Sequence, residues 1–376
     1  MSSVKDHKPD PALASGKKKP MVPRPSSSVL LISPTNQVLL LHRVQTSTSF
    51  ASAHVFPGGN VSEFHDGRVP NPNEPGRHED GPAYRNAAIR ETFEESGILL
   101  ARNNGFGRLI EVPEDEREEG RKMIHNSKIS FPRWLAQKGG RPDVDGLMPF
   151  TRWITPPNVP KRYTTQMYLY FLPLATESSA AQPSSGIGPL PTNTEAVIAT
   201  PKHDGGIEHT SARFLPAAKW LELARAGKII LFPPQFFLLY QVDQFLHSPS
   251  STTQPLSSEI LKQQRKQLMD YVRRPASATD PPWAEVCISP IALMMKSKDG
   301  RGVLALDKPG PELKGSNRRG VREWVVPISF RKEGPRQVDV MLRREAFDRE
   351  RDTEETDSTG YGKVDLRPRD QSRPKI

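Results

Sequence analysis

Three glutamates lie close together in the segment 87–98, which reads AAIRETFEESGI. In a helix, Glu91, Glu94 and Glu95 are spaced i, i+3 and i+4 and share one face. Gly97 follows them, at a position where a left-handed residue commonly ends a helix. Like charges on one face weaken a helix, and carboxylate oxygens are the ligands that Mg²⁺ and Mn²⁺ prefer. The spacing is therefore compatible with a divalent-cation site or with a solvated acidic face.

The segments before this helix predict the elements that position it. Apolar runs at 28–32 and 37–41 flank turn-forming residues at 33–36, which indicates a β-hairpin ending near Arg43. The paired Gly58 and Gly59 predict a backbone that turns tightly, close to a ligand. Residues 60–82 are polar and contain four prolines, and so predict a loop insertion.

This arrangement resembles the conserved box of the Nudix hydrolases, G-x5-E-x7-R-E-U-x-E-E-x-G-U, where U is a bulky aliphatic residue. Gly59 corresponds to the first glycine, after the usual lead-in at 56–58, and the second half of the box matches at Arg90-Glu91, Glu94-Glu95, Gly97 and Ile98. The spacing differs, because the arginine follows the glycine by 31 positions instead of 14, an excess of 17.

The early glutamate of the box has no obvious counterpart. Counted forward from Gly59 its position falls on His65, and counted back from Arg90 it falls on Pro82. Glu63 and Glu79 are both candidates to replace it. In the family this glutamate is supportive and generally not a metal ligand, so the resemblance still implies a metal site.

An interrupted box of this kind resembles the branch that contains the acyl-coenzyme A diphosphatases. Further matches are Trp134-Leu135, the segments 152–156 and 160–165, and the segment 213–216 after Glu208-His209. Thr164 stands where the branch commonly has Asp in the pattern P-x-R-F-D-T. The resemblance covers Ser26 to His247, about 60% of the chain.

The resemblance implies hydrolysis of a diphosphate linkage in a nucleotide-linked small molecule, with Mg²⁺ or Mn²⁺ as cofactor. Coenzyme A and acyl-coenzyme A are the candidate substrates. It implies Glu91, Glu94 and Glu95 as metal ligands, and Glu94, Glu95 and Arg90 as catalytic residues, with Arg90 orienting Glu91. An Arg90–Glu94 helix pair is compatible with that role. The general base is open between a box glutamate and Glu208.

Substrate-binding candidates are Arg43, Gly58, Gly59 and Arg162. Arg43 is equally compatible with a solvated strand-end arginine. Arg162 comes directly before a predicted strand at 163–172. In that strand residues 163, 165, 167, 169 and 171 share one face, and we expect most of this face to be core. The sequence does not decide whether His54 and His209 line the cleft or have a structural role.

The predicted fold class is α/β (α+β), a Nudix-type α/β/α sandwich with a mixed central sheet, loop insertions and a C-terminal β-rich extension. The predicted organisation is a disordered basic tail at 1–25, a Nudix domain at 26–247 with insertions at 60–82, 104–150 and 175–193, a linker and polar helix at 248–282, a β-rich extension at 283–345 and a disordered tail at 346–376. The polar helix is open between an exposed connector and a partner-binding helix.

The charge distribution argues against a nucleic-acid groove. The chain carries a formal net charge of +10, of which residues 1–25 and 314–376 each hold +4, so the middle is nearly neutral. Residues 314–344 alone hold a net +6, which fits a protein partner, substrate phosphates or a solvated turn. A Nudix-fold binding or regulatory protein with little catalysis is therefore the alternative function.

Composition indicates an intracellular protein without a membrane span. Cys287 is the only cysteine, which excludes an internal disulfide or a cysteine metal cluster and suits a reducing compartment. No apolar run approaches the length of a membrane helix. The chain has no signal-peptide core, no S-K-L end and no clear transit peptide, so cytoplasm, mitochondrion and peroxisome stay open.

Overall fold

The structure is a computed structural model that describes residues 20–43, 52–104, 109–174, 196–198, 209–246, 256–275 and 281–347. For 196–198 and 209–210 it describes the backbone alone. The predictions for residues 1–19, 175–193, Glu208, the side chain of His209 and residues 348–376 lie outside this part of the chain.

The described residues form sixteen strands and eight α-helices. The strands are β1 (Arg24–Ile32), β2 (Val38–Arg43), β3 (His54–Val55), β4 (Gly58–Asn60), β5 (Ala101–Asn103), β6 (Gly140–Pro142), β7 (Met148–Ile154), β8 (Tyr163–Phe171), β9 (Ala196–Ile198), β10 (His209–Leu215), β11 (Cys287–Ile288), β12 (Ile291–Lys296), β13 (Gly302–Leu306), β14 (Val321–Arg331), β15 (Gly334–Arg336) and β16 (Met341–Leu342). The α-helices are α1 (Glu63–Asp66), α2 (Pro82–Ser96), α3 (Glu114–His125), α4 (Phe131–Gln137), α5 (Ala217–Arg225), α6 (Pro233–Asp243), α7 (Ser258–Arg273) and α8 (Arg343–Ala346).

A mixed sheet forms the centre of the molecule. Its strands lie in the order β11-β7-β8-β1-β2-β10-β9, with β3 paired to β2 and β4 paired to β1. The β1–β8 and β11–β7 pairs are parallel and the other pairs are antiparallel. The predicted hairpin is confirmed, since Ile32 pairs with Val38 across the turn.

Both faces of the sheet are covered, which confirms the α/β sandwich with a mixed sheet. Val29 and Leu31 of β1 pack into a cluster with Ile89 and Phe93 of α2. Leu30 and Ile32 point the other way, because side chains alternate along a strand, and join a cluster that includes residues of α5, α6 and α7. On the β8 face that was predicted to be mostly core, Met167 and Leu169 are buried, whereas Tyr163, Thr165 and Phe171 are half-buried. The opposite face is more buried, since Tyr168 and Tyr170 are both in the core.

The C-terminal region is β-rich, as predicted, and its strands share the core of the preceding domain. Strand β11 extends the central sheet beside β7, and β12 to β16 form a second, five-stranded antiparallel sheet. Trp283 and Leu306 are buried in the same cluster as Trp153 and Phe237. Residues 283–347 therefore pack on the α5–α7 face of the central sheet.

Helix α7 is also part of this core. Leu268 and Val272 are buried against the sheet, and the Arg265 guanidinium donates to the carbonyls of Ser33 and Leu172 at 2.6 and 2.7 Å. The sequence left this helix open between a connector and a partner helix because its apolar residues are few. Within the described residues, no helix is both long and apolar enough to cross a membrane.

Candidate active site

Helix α2 presents the acidic residues of the interrupted box. It starts with Pro82 at its first position and ends at Gly97, whose φ of 74° is left-handed and whose N–H donates to the Phe93 carbonyl at 2.9 Å. The guanidinium of Arg121, on α3, donates to the carbonyls of Phe93 and Glu94 and so occupies free acceptors at the end of α2. The helix end that carries the glutamates is thereby fixed by its own Gly97 cap and by α3.

Two box glutamates contact the paired glycines of β4. The Gly58 N–H donates to Glu95 Oε2 at 2.8 Å. The Glu91 carboxylate lies directly on Gly59, where an added Cβ would be 2.5 Å from Glu91 Cδ. A Cβ at Gly58 would lie 2.3 Å from the Ser27 carbonyl oxygen of β1. Glycine is required at both positions because β4 is sandwiched between β1 and the carboxylates.

The Arg90 guanidinium holds the acidic cluster together. Nη1 donates to Glu91 Oε1 at 2.8 Å and to Glu94 Oε1 at 3.0 Å, and Nη2 donates to the Asn60 carbonyl at 2.9 Å. Burial alone would lower the pKa of Arg90, but Glu91, Asp66 and Glu94 raise it above its ordinary value. The arginine therefore stays charged and is hydrogen-bonded to both glutamates, and the orienting role that the resemblance implied stays a prediction.

Asp66 is a site residue that the sequence reasoning missed. Its two carboxylate oxygens accept from Arg90 Nε at 3.0 Å and Nη2 at 2.8 Å, and its side chain is fully buried. In the described structure neither Glu63 nor Glu79 contacts Arg90, so Asp66 supplies the supporting carboxylate. The available signal was an acidic residue one position beyond the one that the Nudix pattern specifies, in the short helix α1.

Glu91 lies in a strongly negative environment. Burial raises its pKa to about 7, the Arg90 guanidinium opposes that shift, and Glu94 and Asp66 add to it. The Nδ1 atom of His125 lies 3.4 Å from Glu94 Oε2. Four carboxylates and one guanidinium leave a surplus of negative charge, which a divalent cation would neutralise.

The donor set fits a hard divalent cation, because every candidate ligand is a carboxylate oxygen. In the described part of the chain, no three acidic, histidine or cysteine side chains already converge as a bound ion would require. The carboxylates instead accept hydrogen bonds from Arg90 and from the backbone of Gly58. A cation would have to replace some of these contacts.

The two predicted arginines outside the box, Arg43 and Arg162, lie at the end of β2 and just before β8. Arg43 is the last residue of β2, and its N–H donates to the Ala53 carbonyl. Arg162 is buried, donates to the carbonyls of Met21, Thr155 and Pro156, and pairs with Glu312 at 2.5 Å. These contacts hold Arg162 in the framework, and its role toward substrate stays a prediction. His54 stacks on His42 and has its pKa lowered to about 3 by burial.

Comparison with known proteins adds the family. Residues 75–184 match the family model described as the NUDT19 Nudix domain. Over these residues the chain resembles Nudix hydrolases, and in particular their acyl-coenzyme A diphosphatase branch. The matched region includes all of α2 and begins after the paired glycines of β4.

Curated relatives show the same likeness. "Putative nudix hydrolase 7" of Caenorhabditis elegans is 31% identical over 144 residues, which are 38% of this chain and 42% of that protein. "Acyl-coenzyme A diphosphatase NUDT19" of Xenopus laevis is 26% identical over 56% of this chain and 60% of its own, and that of Gallus gallus is 27% identical over 56% and 61%. The Nudix hydrolase of Alicyclobacillus acidocaldarius matches with a TM-score of 0.42 and 21% identity over 60% of this chain and 93% of that chain.

The Nudix domain accounts for only part of the proteins it resembles. The chain spans between 42% and 61% of the length of these curated relatives. Activity, substrate and cofactor therefore have to be argued from the residues of the site.

Proposed function

We propose that this chain is a divalent-metal-dependent Nudix hydrolase that cleaves the diphosphate linkage of a nucleotide-linked small molecule. The main support is the contact of Glu91 and Glu95 with the backbone of Gly58 and Gly59. Arg90 donates a hydrogen bond to the Glu91 carboxylate in the same place. Curated relatives named as acyl-coenzyme A diphosphatases support coenzyme A or acyl-coenzyme A as the substrate class.

Glu91, Glu94 and Glu95 would hold Mg²⁺ or Mn²⁺. A divalent cation at such a site neutralises substrate phosphates and makes a bound water acidic enough to act near neutral pH. Arg90 orients the Glu91 and Glu94 carboxylates, and Asp66 fixes the Arg90 guanidinium through two hydrogen bonds. Gly59 leaves the space in which the Glu91 carboxylate lies.

A box glutamate is the proposed general base. Burial raises the pKa of Glu91, but a cation bound to the same carboxylate would keep it ionised, so all three glutamates stay candidates for the base. Glu208, the other sequence candidate, lies outside the described residues. Arg43 stays a proposed substrate contact, since it ends β2 in the strand pair that also carries His42 and His54.

The experiment is a substrate panel. The purified protein is incubated with coenzyme A, an acyl-coenzyme A, ADP-ribose and NADH, each with Mg²⁺ or Mn²⁺, and the monophosphate products are followed. We expect the diphosphate linkage of coenzyme A or its acyl ester to be hydrolysed into two phosphomonoester products, and EDTA to stop the reaction. If none of the four compounds is cleaved, the hydrolase proposal fails and the alternative, a Nudix-fold binding protein, is favoured.

A further inference from the structure

Four arginines lie close together where residues 283–347 pack against the preceding domain. This arginine cluster consists of Arg77, in the turn Pro75–His78, Arg152 of β7, Arg162 just before β8, and Arg318, in the loop 307–320 that joins β13 to β14. Arg152 is completely buried, and Arg162 is 3% exposed. The cluster lies outside the box, since none of its members contacts Arg90 or a box glutamate in the described structure.

His78 and Glu312 lie among these arginines. His78 Nδ1 is 3.0 Å from Thr164 Oγ1, which accepts a hydrogen bond from Arg152 Nη1 at 3.1 Å. Burial lowers the pKa of His78 to about 4; Arg152, Arg77 and Arg318 lower it further, and Glu312 opposes them. These four charged side chains are therefore all close enough to act on one imidazole.

The positive charge of the cluster is poorly compensated. Arg77 donates to the carbonyls of Pro70 and Pro23, and Arg152 donates to neutral oxygens of Glu79, Thr164 and Gln166. In the described residues, the Arg162–Glu312 contact is the one ion pair that any of the four arginines makes. Buried cations with so few anionic partners are costly.

Several donors of the cluster are buried and lack an acceptor. They are Arg77 Nε, Arg152 Nε, Arg162 Nη2 and Arg318 Nε, and Glu312 Oε2 is buried without a donor as well. An arginine N–H that loses water without gaining an acceptor costs free energy. A single Glu312 carboxylate cannot satisfy donors from four guanidinium groups, whereas a group with three or four acceptor oxygens can serve several of them.

We propose that the arginine cluster is a phosphate-binding site, in which the Glu312 carboxylate takes the place of the phosphate when the ligand is absent. Guanidinium groups match phosphate oxygens in pairs, and such charge-assisted hydrogen bonds are the strong ones. Glu312 sits in the short turn Pro311–Leu313 and its side chain is 17% exposed, so it closes the site on the outside. This proposal does not depend on the diphosphatase reaction.

Phosphate titrations followed by the melting temperature test the site. They are run in EDTA, which keeps metal-bridged phosphate away from the box, and at constant ionic strength with chloride as the reference. We expect a saturable rise of the melting temperature for the wild-type protein. Glu312→Gln removes the competing charge and should lower the half-saturating phosphate concentration by about tenfold, and Arg318→Met should raise it by about tenfold.

Asp339→Asn is the matched control. It removes the 2.9 Å ion pair between Asp339 and Arg225 of α5, another contact of the C-terminal region with the rest of the chain. Its phosphate response should equal that of the wild type. General exclusion of phosphate from protein surfaces would raise the melting temperature of all variants alike and without saturation. That result would overturn the proposal, as would a wild-type protein with no response to phosphate.

The source of the phosphate group is decided by a second titration. AMP is compared with inorganic phosphate on the wild-type protein and on Arg318→Met. A lower half-saturating concentration for AMP, lost in Arg318→Met, assigns the site to a nucleotide phosphate. A lower value for inorganic phosphate, also lost in that variant, assigns it to the free anion.

Discussion

At the residue scale, Arg90 and Asp66 form the support of the acidic cluster. The pair is buried, with 5% of the Arg90 side chain and none of the Asp66 side chain exposed. Removing one partner of a buried ion pair leaves the other charge without compensation. The orientation of Glu91 and Glu94 therefore depends on a carboxylate that lies 24 residues away in the sequence.

Asp66→Asn tests this support. We expect it to lower the free energy of unfolding by roughly 3–5 kcal/mol, because the Arg90 charge stays buried with one partner fewer. Urea unfolding measures the change. Glu74→Gln, which removes the exposed Arg68–Glu74 pair, is the control and should cost below about 1 kcal/mol. Equal effects of the two substitutions would contradict the assigned role of Asp66.

Gly59→Ala tests the contact between β4 and Glu91. The new Cβ would lie 2.5 Å from the Glu91 carboxylate, so this group has to move. We expect kcat to fall by about 100-fold, since displacing a catalytic group by about 1 Å has effects of that order. Gly76→Ala is the control, because its Cβ would meet Pro70 at an ordinary 3.6 Å. The kcat of both variants is measured by steady-state kinetics on the substrate that the wild type cleaves. An unchanged kcat in Gly59→Ala would show that the contact between Gly59 and Glu91 does not matter for catalysis.

The three glutamates and Arg90 could be predicted from the sequence because a helix fixes which residues share a face. Asp66 could not, because its position relative to Arg90 depends on the path of residues 67–81, whose length departs from the Nudix pattern. Arg162 shows the same limit. Its partner Glu312 lies 150 positions later, and no local pattern links the two.

At the element scale, the C-terminal strands complete the core of the Nudix domain. The sequence predicted a β-rich extension at 283–345, and five of its strands form the second sheet, of which β14 (Val321–Arg331) is the longest. Local propensity cannot tell where a strand packs. The structure places β11 in the central sheet and Trp283 against Phe150 and Phe237.

Trp283→Ala tests whether the two regions share one core. Trp283 is 6% exposed, and its removal leaves a cavity lined by residues of β7 and α6. We expect a loss of about 3–5 kcal/mol in one cooperative unfolding transition. The control is Phe330→Ala, at a side chain that is 65% exposed. If the variant instead unfolds in two separate steps, with the first confined to the C-terminal strands, the shared core is refuted.

At the scale of the whole molecule, stability should depend on two histidines that are neutral in the folded state. Burial lowers the pKa of His78 to about 4 and that of His54 to about 3, from an ordinary value of 6.5. Between pH 6.5 and 4 the unfolded chain therefore binds protons that the folded chain does not. The free energy of unfolding falls as the pH is lowered through this range.

His78→Gln measures that contribution. We expect the loss of stability between pH 7 and pH 5 to be smaller in this variant than in the wild type, because glutamine does not titrate. His125→Gln, at a side chain that is 61% exposed, is the control. Urea unfolding at the two pH values gives the comparison. An equal pH-dependent loss in wild type and His78→Gln would show that His78 is not the group responsible.

The claim that the box glutamates of α2 perform hydrolysis is tested by one comparison of variants. The rate of monophosphate release from the cleaved substrate is measured with Mg²⁺ or Mn²⁺ for the wild type, Glu95→Gln and Glu63→Gln. Glu63 is exposed on the neighbouring helix α1 and serves as the matched control. We predict that Glu95→Gln lowers kcat by about 100-fold or more, since a bound cation supplies several kcal/mol to such reactions, while Glu63→Gln equals the wild type. Equal rates for Glu95→Gln and the wild type would contradict the claim.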